Sequence, residues 1–305
     1  MNTSKLLSTL IKGKWFMSIE DAMAKDAIVA KLFAGEFTEE EFSTALSERT
    51  PMLLSLDDGS SVKFMGKSSF DDAPSNSTAR IPIRGTMLKY GTYCSYGAME
   101  IADSIIAAAD HPRIGSIVLE MDSGGGAVDA IAPLVDAIRY ARKRKPCVAS
   151  VDLCASANYY VAIHCDEVIA SNNISSEIGS IGVMIAFQDF QEYYKQNGII
   201  THTIYSNLSD WKNRPFELAK EGKYDEIKTE ELDPLAVKFQ NAVKECRGSK
   251  LNQSVDGILQ GRMFYAEKAL EYGLIDAVGN SDTAVQRARE LQVDMSINSY
   301  INKKQ

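Results

Sequence analysis

Pro146-Cys147-Val148-Ala149-Ser150-Val151-Asp152-Leu153-Cys154-Ala155-Ser156-Ala157-Asn158 is the stretch from which the rest of the chain is read. An apolar run passes into small residues and then directly into Tyr159-Tyr160-Val161-Ala162, an aromatic helix start. A strand that hands over to a helix through small residues puts one side chain at a sharp turn, beside the free N–H groups of the first helical turn. Ser156 is the hydroxyl at that turn. Two readings of it stay open on these residues alone. It is a nucleophile, or it is a small residue packed at a helix start, where serine is a common cap.

Working outward, Ile114 to Met121 reads as a buried strand that runs into Asp122-Ser123-Gly124-Gly125-Gly126 and then a helix from Ala127 to Lys143. Ala79 to Gly85 reads as a strand ending in a glycine turn, and Ala98 to Ala109 as an amphipathic helix. Downstream, Glu167 to Ala170 is a short strand and Ile178 to Met184 is apolar and punctuated by glycine. Phe187 to Gln196 reads as a helix, Ile199 to Tyr205 as a strand and Thr229 to Cys246 as a long helix. Strands alternating with helices imply βαβ units, hence an α/β fold with a mostly parallel sheet covered on both faces.

Residues 1–78 read as an N-terminal helical appendage and linker. Ser18-Ile19-Glu20-Asp21 resembles a helix start, Ala22 to Phe33 is apolar at helical spacing, and residues 51–78 are polar and turn-rich. A helical cap packed on the core fits the same pattern. Residues 79–280 form the main domain, and residues 281–305 a C-terminal helix and polar tail.

Composition narrows the partners. The net charge of -8 over 305 residues argues against a nucleic-acid or anionic-membrane surface. The five cysteines include no C-x-x-C pair, and they read as reduced thiols in a cytosol-like compartment. The histidines, His111, His164 and His202, lack ligand spacing, so no metal and no cofactor is expected. Lys12, Lys14, Glu20 and Asp21 cut short the apolar run Leu6 to Ile11, so it does not read as a secretory signal. No apolar run approaches the ~18 residues of a membrane span.

The chemistry-bearing residues remain ambiguous taken singly. Gly124-Gly125-Gly126 at a strand-to-helix turn suits an oxyanion hole, a phosphate site or a bare tight turn. Neither G-x-x-x-x-G-K-[ST] nor G-x-G-x-x-G is present. A nucleophilic serine needs a base. Each histidine reads as structural, and a lysine can serve instead if burial leaves its amine uncharged. Spacing does not choose among the lysines.

Together, four stretches resemble the serine peptidases that include signal peptide peptidase A and the head-maturation proteases of tailed phages. They are Asp122 to Gly126, Cys154 to Tyr160, Ile178 to Val183, and Ala269 to Asp276, in the family's order over about residues 79–280. The resemblance implies a crotonase- or Clp-protease-like fold of repeated ββα units and a Ser–Lys dyad. Ser156 would be the nucleophile. Gly125, Gly126 and the Ala157 amide would bind the substrate carbonyl, and Ser180 would orient the lysine. The family places that lysine in the loop that here reads Ser206 to Phe216. An ungapped match puts Asp210 at its position. Lys212, two residues later, is the only lysine in that loop before Pro215, and is the implied base. Gly124 stands where the family has proline, and Asn158 where it has glycine.

The resemblance further implies protein or peptide substrates, with capsid or scaffold proteins foremost. It implies a homo-oligomer and a location in the host cytoplasm or the prohead. The other readings are a soluble signal-peptide-peptidase-like protease acting on membrane-derived peptides, a crotonase-type acyl-CoA enzyme, and an inactive structural homologue.

Overall fold

A computed structural model describes residues 15–17, 52–55, 61–64, 70–71, 73–91, 95–187, 191–200 and 202–302. Strands β1 (Trp15–Met17), β2 (Met52–Ser55), β3 (Ser61–Phe64) and β4 (Ser77–Arg84) precede helix α1 (Ala98–Asp110). Then come β5 (Ile114–Ser123), the short β6 (Gly125–Ala127) and α2 (Ile131–Arg142). Strand β7 (Cys147–Ala155) leads into α3 (Ala157–Ala162), β8 (Glu167–Ala170) and β9 (Glu177–Gly179). The remainder is α4 (Gln191–Gln196), α5 (Arg214–Lys220), α6 (Asp233–Arg247), β10 (Met263–Tyr265), α7 (Ala266–Glu271), β11 (Ala277–Val278) and α8 (Ser281–Asn302).

The main sheet runs β10-β9-β7-β5-β4-β2-β3, with β8 also on β7 and β11 on β8. Its centre is parallel: β4 with β5, β5 with β7, and β7 with both β8 and β9. Strand β7 changes partner along its length. Val148–Val151 pair with β8 and Leu153–Ala155 with β9. Asp152 sits between the two sets, and its Oδ1 accepts hydrogen bonds from Asn172 Nδ2 at 3.1 Å and Ser176 Oγ at 2.9 Å. That carboxylate fastens the loop between β8 and β9 and brings β9 alongside the end of β7.

The α/β class follows from burial on both faces of the sheet. Along β5, Ile117, Leu119 and Met121 join the larger core cluster with Ile105, Leu134 and Ile138. Val118 faces the other way and packs with Val148, Ile169, Ala284, Val285 and Ala288. Side chains alternate sides along a strand, so a strand covered on both faces is apolar throughout. Helix α1 buries Ala98, Ile101, Ala102, Ile105, Ala108 and Ala109, the three-and-four spacing of one helical face. Helix α8 covers the opposite face and is held there by polar ties. Ser281 Oγ donates to Glu120 Oε1 at 2.9 Å, and Arg287 binds Glu167 at 2.7 Å.

Several expectations change. The stretch 51–78, expected as linker, carries β2 and β3, which extend the sheet antiparallel beyond β4. Trp15–Met17, in a stretch expected to be helical, is a strand. The helices expected elsewhere in residues 18–50 lie outside the described residues. Ile199 to Tyr205, expected as a strand, has no strand among its described residues, and Ile199, Ile200 and Ile204 are exposed. Its β-branched composition suits a strand, but β propensity needs a sheet edge to act on. The helix expected from Thr229 begins as α6 at Asp233, after a π-type turn over Lys228–Leu232. No described helix is long and apolar enough to cross a membrane.

Candidate active site

The site lies at the carboxyl ends of β5 and β7, where parallel α/β sheets place their ligands. The two strand ends are adjacent, with Ser123 opposite Cys154. Ser156 caps α3 at φ 55°, ψ -120°, in a region L-residues seldom adopt. Such a conformation costs on the order of 1–3 kcal/mol and persists only where surrounding contacts impose it. Here the contacts are visible. The Ser156 N–H donates to the Gly179 carbonyl at 2.9 Å, and its own carbonyl accepts the Tyr160 N–H at 2.9 Å. Among the described residues, the Oγ reaches only the Gly182 carbonyl, at 3.5 Å, the outer limit of a hydrogen bond. The residue is 1% exposed. The next N–H, of Ala157, belongs to the first helical turn, whose donors lie outside the helix ladder.

The glycine run is built for close approach. Gly125 has φ 106°, open to glycine but not to other residues. A side chain on Gly126 would meet the Met87 carbonyl oxygen at 2.1 Å. Met87 N–H donates to the Gly125 carbonyl and Ala127 N–H to the Met87 carbonyl, both at 2.8 Å. Ser123 Oγ donates to the Gly85 carbonyl at 2.6 Å and accepts the Gly125 N–H at 3.1 Å. The bend is thus braced from behind. Planar trans peptides place each carbonyl opposite the following N–H. With the Gly125 carbonyl and the Ala127 N–H turned to Met87, the Gly126 N–H and carbonyl face the other side.

The Ile178–Val183 motif meets the nucleophile through its backbone. Gly179 supplies the acceptor for Ser156 N–H, and Gly182 the carbonyl nearest Oγ. Ser180 itself is half-buried at φ 53°, with its N–H on the Arg262 carbonyl at 3.2 Å. Lys212 is exposed, in a turn where its N–H donates to the Ser209 carbonyl at 3.1 Å. No hydrogen bond among the described residues joins Lys212 to Ser156. The structure ties Ser156 to the Ser180 segment and sets α3, which Ala157 opens, against β6, while Lys212 is exposed.

Two of the histidines have polar partners. His164 Nδ1 lies 2.8 Å from the Tyr160 carbonyl, and burial pushes its pKa down. His111 Nε2 lies 3.0 Å from Asp71. Among the described cysteines, Cys147, Cys154 and Cys165 are buried thiols. Desolvation raises the pKa of Cys154 and so keeps it a protonated, inert neighbour of Ser156. The described residues contain no cluster able to hold a metal ion.

Asn158 does more than its small-residue context suggested. It is fully buried, and its Nδ2 donates to the Leu153 carbonyl at 3.1 Å and the Ser123 carbonyl at 3.3 Å. It ties the nucleophile helix to the strand end that launches the glycine bend. Its Oδ1 has no partner among the described residues. The sequence signal was there: a carboxamide inside a run of alanines needs a buried partner.

Residues 139–295, just over half of the chain, match Peptidase family S49, and the chain belongs to that family. Capsid assembly protease C of Escherichia phage lambda is 25% identical over 221 residues, 70% of this chain and 49% of that protein. The chloroplastic serine protease SPPA of Arabidopsis thaliana is 27% identical over 204 residues, 63% of this chain and 28% of that protein. The chain thus spans about half or less of these relatives' length. A mutant of the 1510-N membrane-bound stomatin-specific protease superposes with a TM-score of 0.46 at 16% identity, over 71% of this chain and 85% of that one.

Proposed function

We propose that this chain is a serine endopeptidase that processes capsid or scaffold proteins during phage head assembly. Family membership and the relative named for capsid assembly support this reading. The single observation that carries it is Ser156, held at positive φ where β7 meets α3, beside the braced glycine bend. In the proposed reaction Ser156 Oγ attacks a peptide carbonyl while a lysine amine accepts the hydroxyl proton. The Gly126 and Ala157 N–H groups hold the oxyanion. The same lysine returns its proton to the leaving amine, and water then releases the acyl group by the reverse sequence.

We assign that lysine to Lys212, delivered when copies of the chain assemble. Support comes from its surroundings. Ile204, Leu208 and Trp211 are exposed on the same segment, at 90%, 93% and 61%. Apolar exposure of that extent marks a surface that another protein covers. A homo-oligomer in which this segment packs against a neighbour would bury both the apolar side chains and the amine.

Mass spectrometry of capsid-like substrates incubated with wild type, Ser156→Ala and Lys212→Ala tests this reading. Cleavage should vanish in both variants, and a serine-reactive probe should label wild type at Ser156. Cleavage retained in either variant removes the corresponding role. An acyl-CoA enzyme would turn over thioesters and leave the probe unreacted.

A further inference from the structure

The free edge of the glycine bend is already occupied by the chain itself. Strand β1 pairs antiparallel with β6, placing Trp15 opposite Ala127, Phe16 opposite Gly126 and Met17 opposite Gly125. The opposite edge of β6 is engaged by Met87, so the Gly126 N–H and carbonyl point towards β1. Directly opposed antiparallel residues whose polar groups face each other exchange both backbone hydrogen bonds. Phe16 is thereby the partner of Gly126, and its carbonyl meets the N–H assigned above to the oxyanion. Helix α3, which begins after Ser156, lies against both β6 and β1. The nucleophile is 1% exposed in this arrangement.

We propose that Trp15–Met17 acts as an internal strand that blocks the substrate edge, so that the chain is latent until β1 leaves β6. The inference rests on the peptidase reading for its consequence, though the strand exchange is independent of it. An extended substrate binding by strand addition would need the same Gly126 groups, because a sheet edge offers one row of donors and acceptors. Substrate and β1 therefore exclude one another. Three residues form a short pairing. It is weak enough to be displaced by a longer strand, or when assembly draws the N-terminal segment elsewhere.

Phe16→Pro in the full chain tests this directly, since proline has no N–H for the Gly126 carbonyl. Hydrogen–deuterium exchange, read in a Ser156→Ala background, should show the Gly126 amide protected with native Phe16 and released by Phe16→Pro, while the Gly125 and Ala127 amides stay held by Ser123 and Met87. A synthetic peptide covering residues 12–20, added in excess, should restore the protection. With Ser156 present, Phe16→Pro should raise kcat/KM by about tenfold or more, the gain expected if the competent state is populated one-tenth of the time or less. Equal amide exchange with and without the proline overturns the blocking strand, whatever the activity. A released Gly126 amide with unchanged turnover overturns its regulatory role. A released amide with no cleavage and no probe labelling in any variant leaves the strand exchange standing and sinks the peptidase reading instead.

Discussion

At the scale of single residues, Asn158 ties the helix that follows Ser156 to the glycine bend. Its side chain makes two bonds to buried carbonyls and leaves one buried oxygen unpartnered. A net hydrogen bond contributes about 1 kcal/mol, while an unsatisfied buried polar atom costs about 1–3 kcal/mol. Truncation to alanine relieves that one oxygen but removes the donor of two buried carbonyls. Asn158→Ala should therefore cost about 1–3 kcal/mol, read by denaturant titration. The same change cuts the tie between the start of α3 and the Ser123 carbonyl. Misplacing catalytic groups by about 1 Å can cost on the order of a hundredfold in rate, so kcat should fall by about that much while KM changes little. Equal kcat in the two proteins would show that the glycine bend holds its place without the carboxamide. Ser156 was legible in the sequence because small residues between a strand and a helix leave few other conformations. Its strain was not, because positive φ depends on Gly179 and Tyr160.

Among elements, the Ala269–Asp276 motif joins helix to sheet and does no chemistry. Asp276 binds Arg247 on α6 through two contacts of 2.8 and 3.0 Å, Lys250 at 2.7 Å, and the Val168 N–H of β8 at 2.9 Å. Burial alone would raise the pKa of Asp276. The bonds from Arg247, Lys250 and Val168 outweigh it and hold the carboxyl below its ordinary value. The folded state thus binds this proton less readily than the unfolded chain. The stabilisation is complete above the unfolded pKa, about 3.9, and is lost as pH falls through the lower folded value. Asp276→Asn removes a buried partner and leaves the Arg247 charge uncompensated. It should cost about 3–5 kcal/mol at neutral pH, and Asp276's share of the acid sensitivity should disappear. Thermal melts of both proteins from neutral pH down to about pH 3 check this. Parallel loss of stability with acid in both would place the acid-labile contact elsewhere.

For the whole molecule, the parallel centre of the sheet was readable because its strands are buried on both faces and so carry unbroken apolar runs. The antiparallel additions were not. Met52–Ser55 and Ser61–Phe64 sit at the sheet's rim among polar residues, and β1 depends on an edge that only the folded glycine bend creates. Ile199 to Tyr205 departs in the opposite sense, since Ile199, Ile200 and Ile204 face solvent in the single chain instead of a sheet. The exposure of that segment and of Lys212 share a cause if both belong to a contact between copies. Ile204 and Leu208 are 90% and 93% exposed, and burying one such side chain contributes about 1.5–3 kcal/mol. A charge on each, Ile204→Asp with Leu208→Asp, would have to be desolvated at that contact but costs nothing where it meets water. The double variant should therefore melt like wild type as a lone chain, shift to the monomer mass by light scattering, and lose peptide cleavage with it. An active monomer would place the base within one protomer and detach the apolar segment from catalysis.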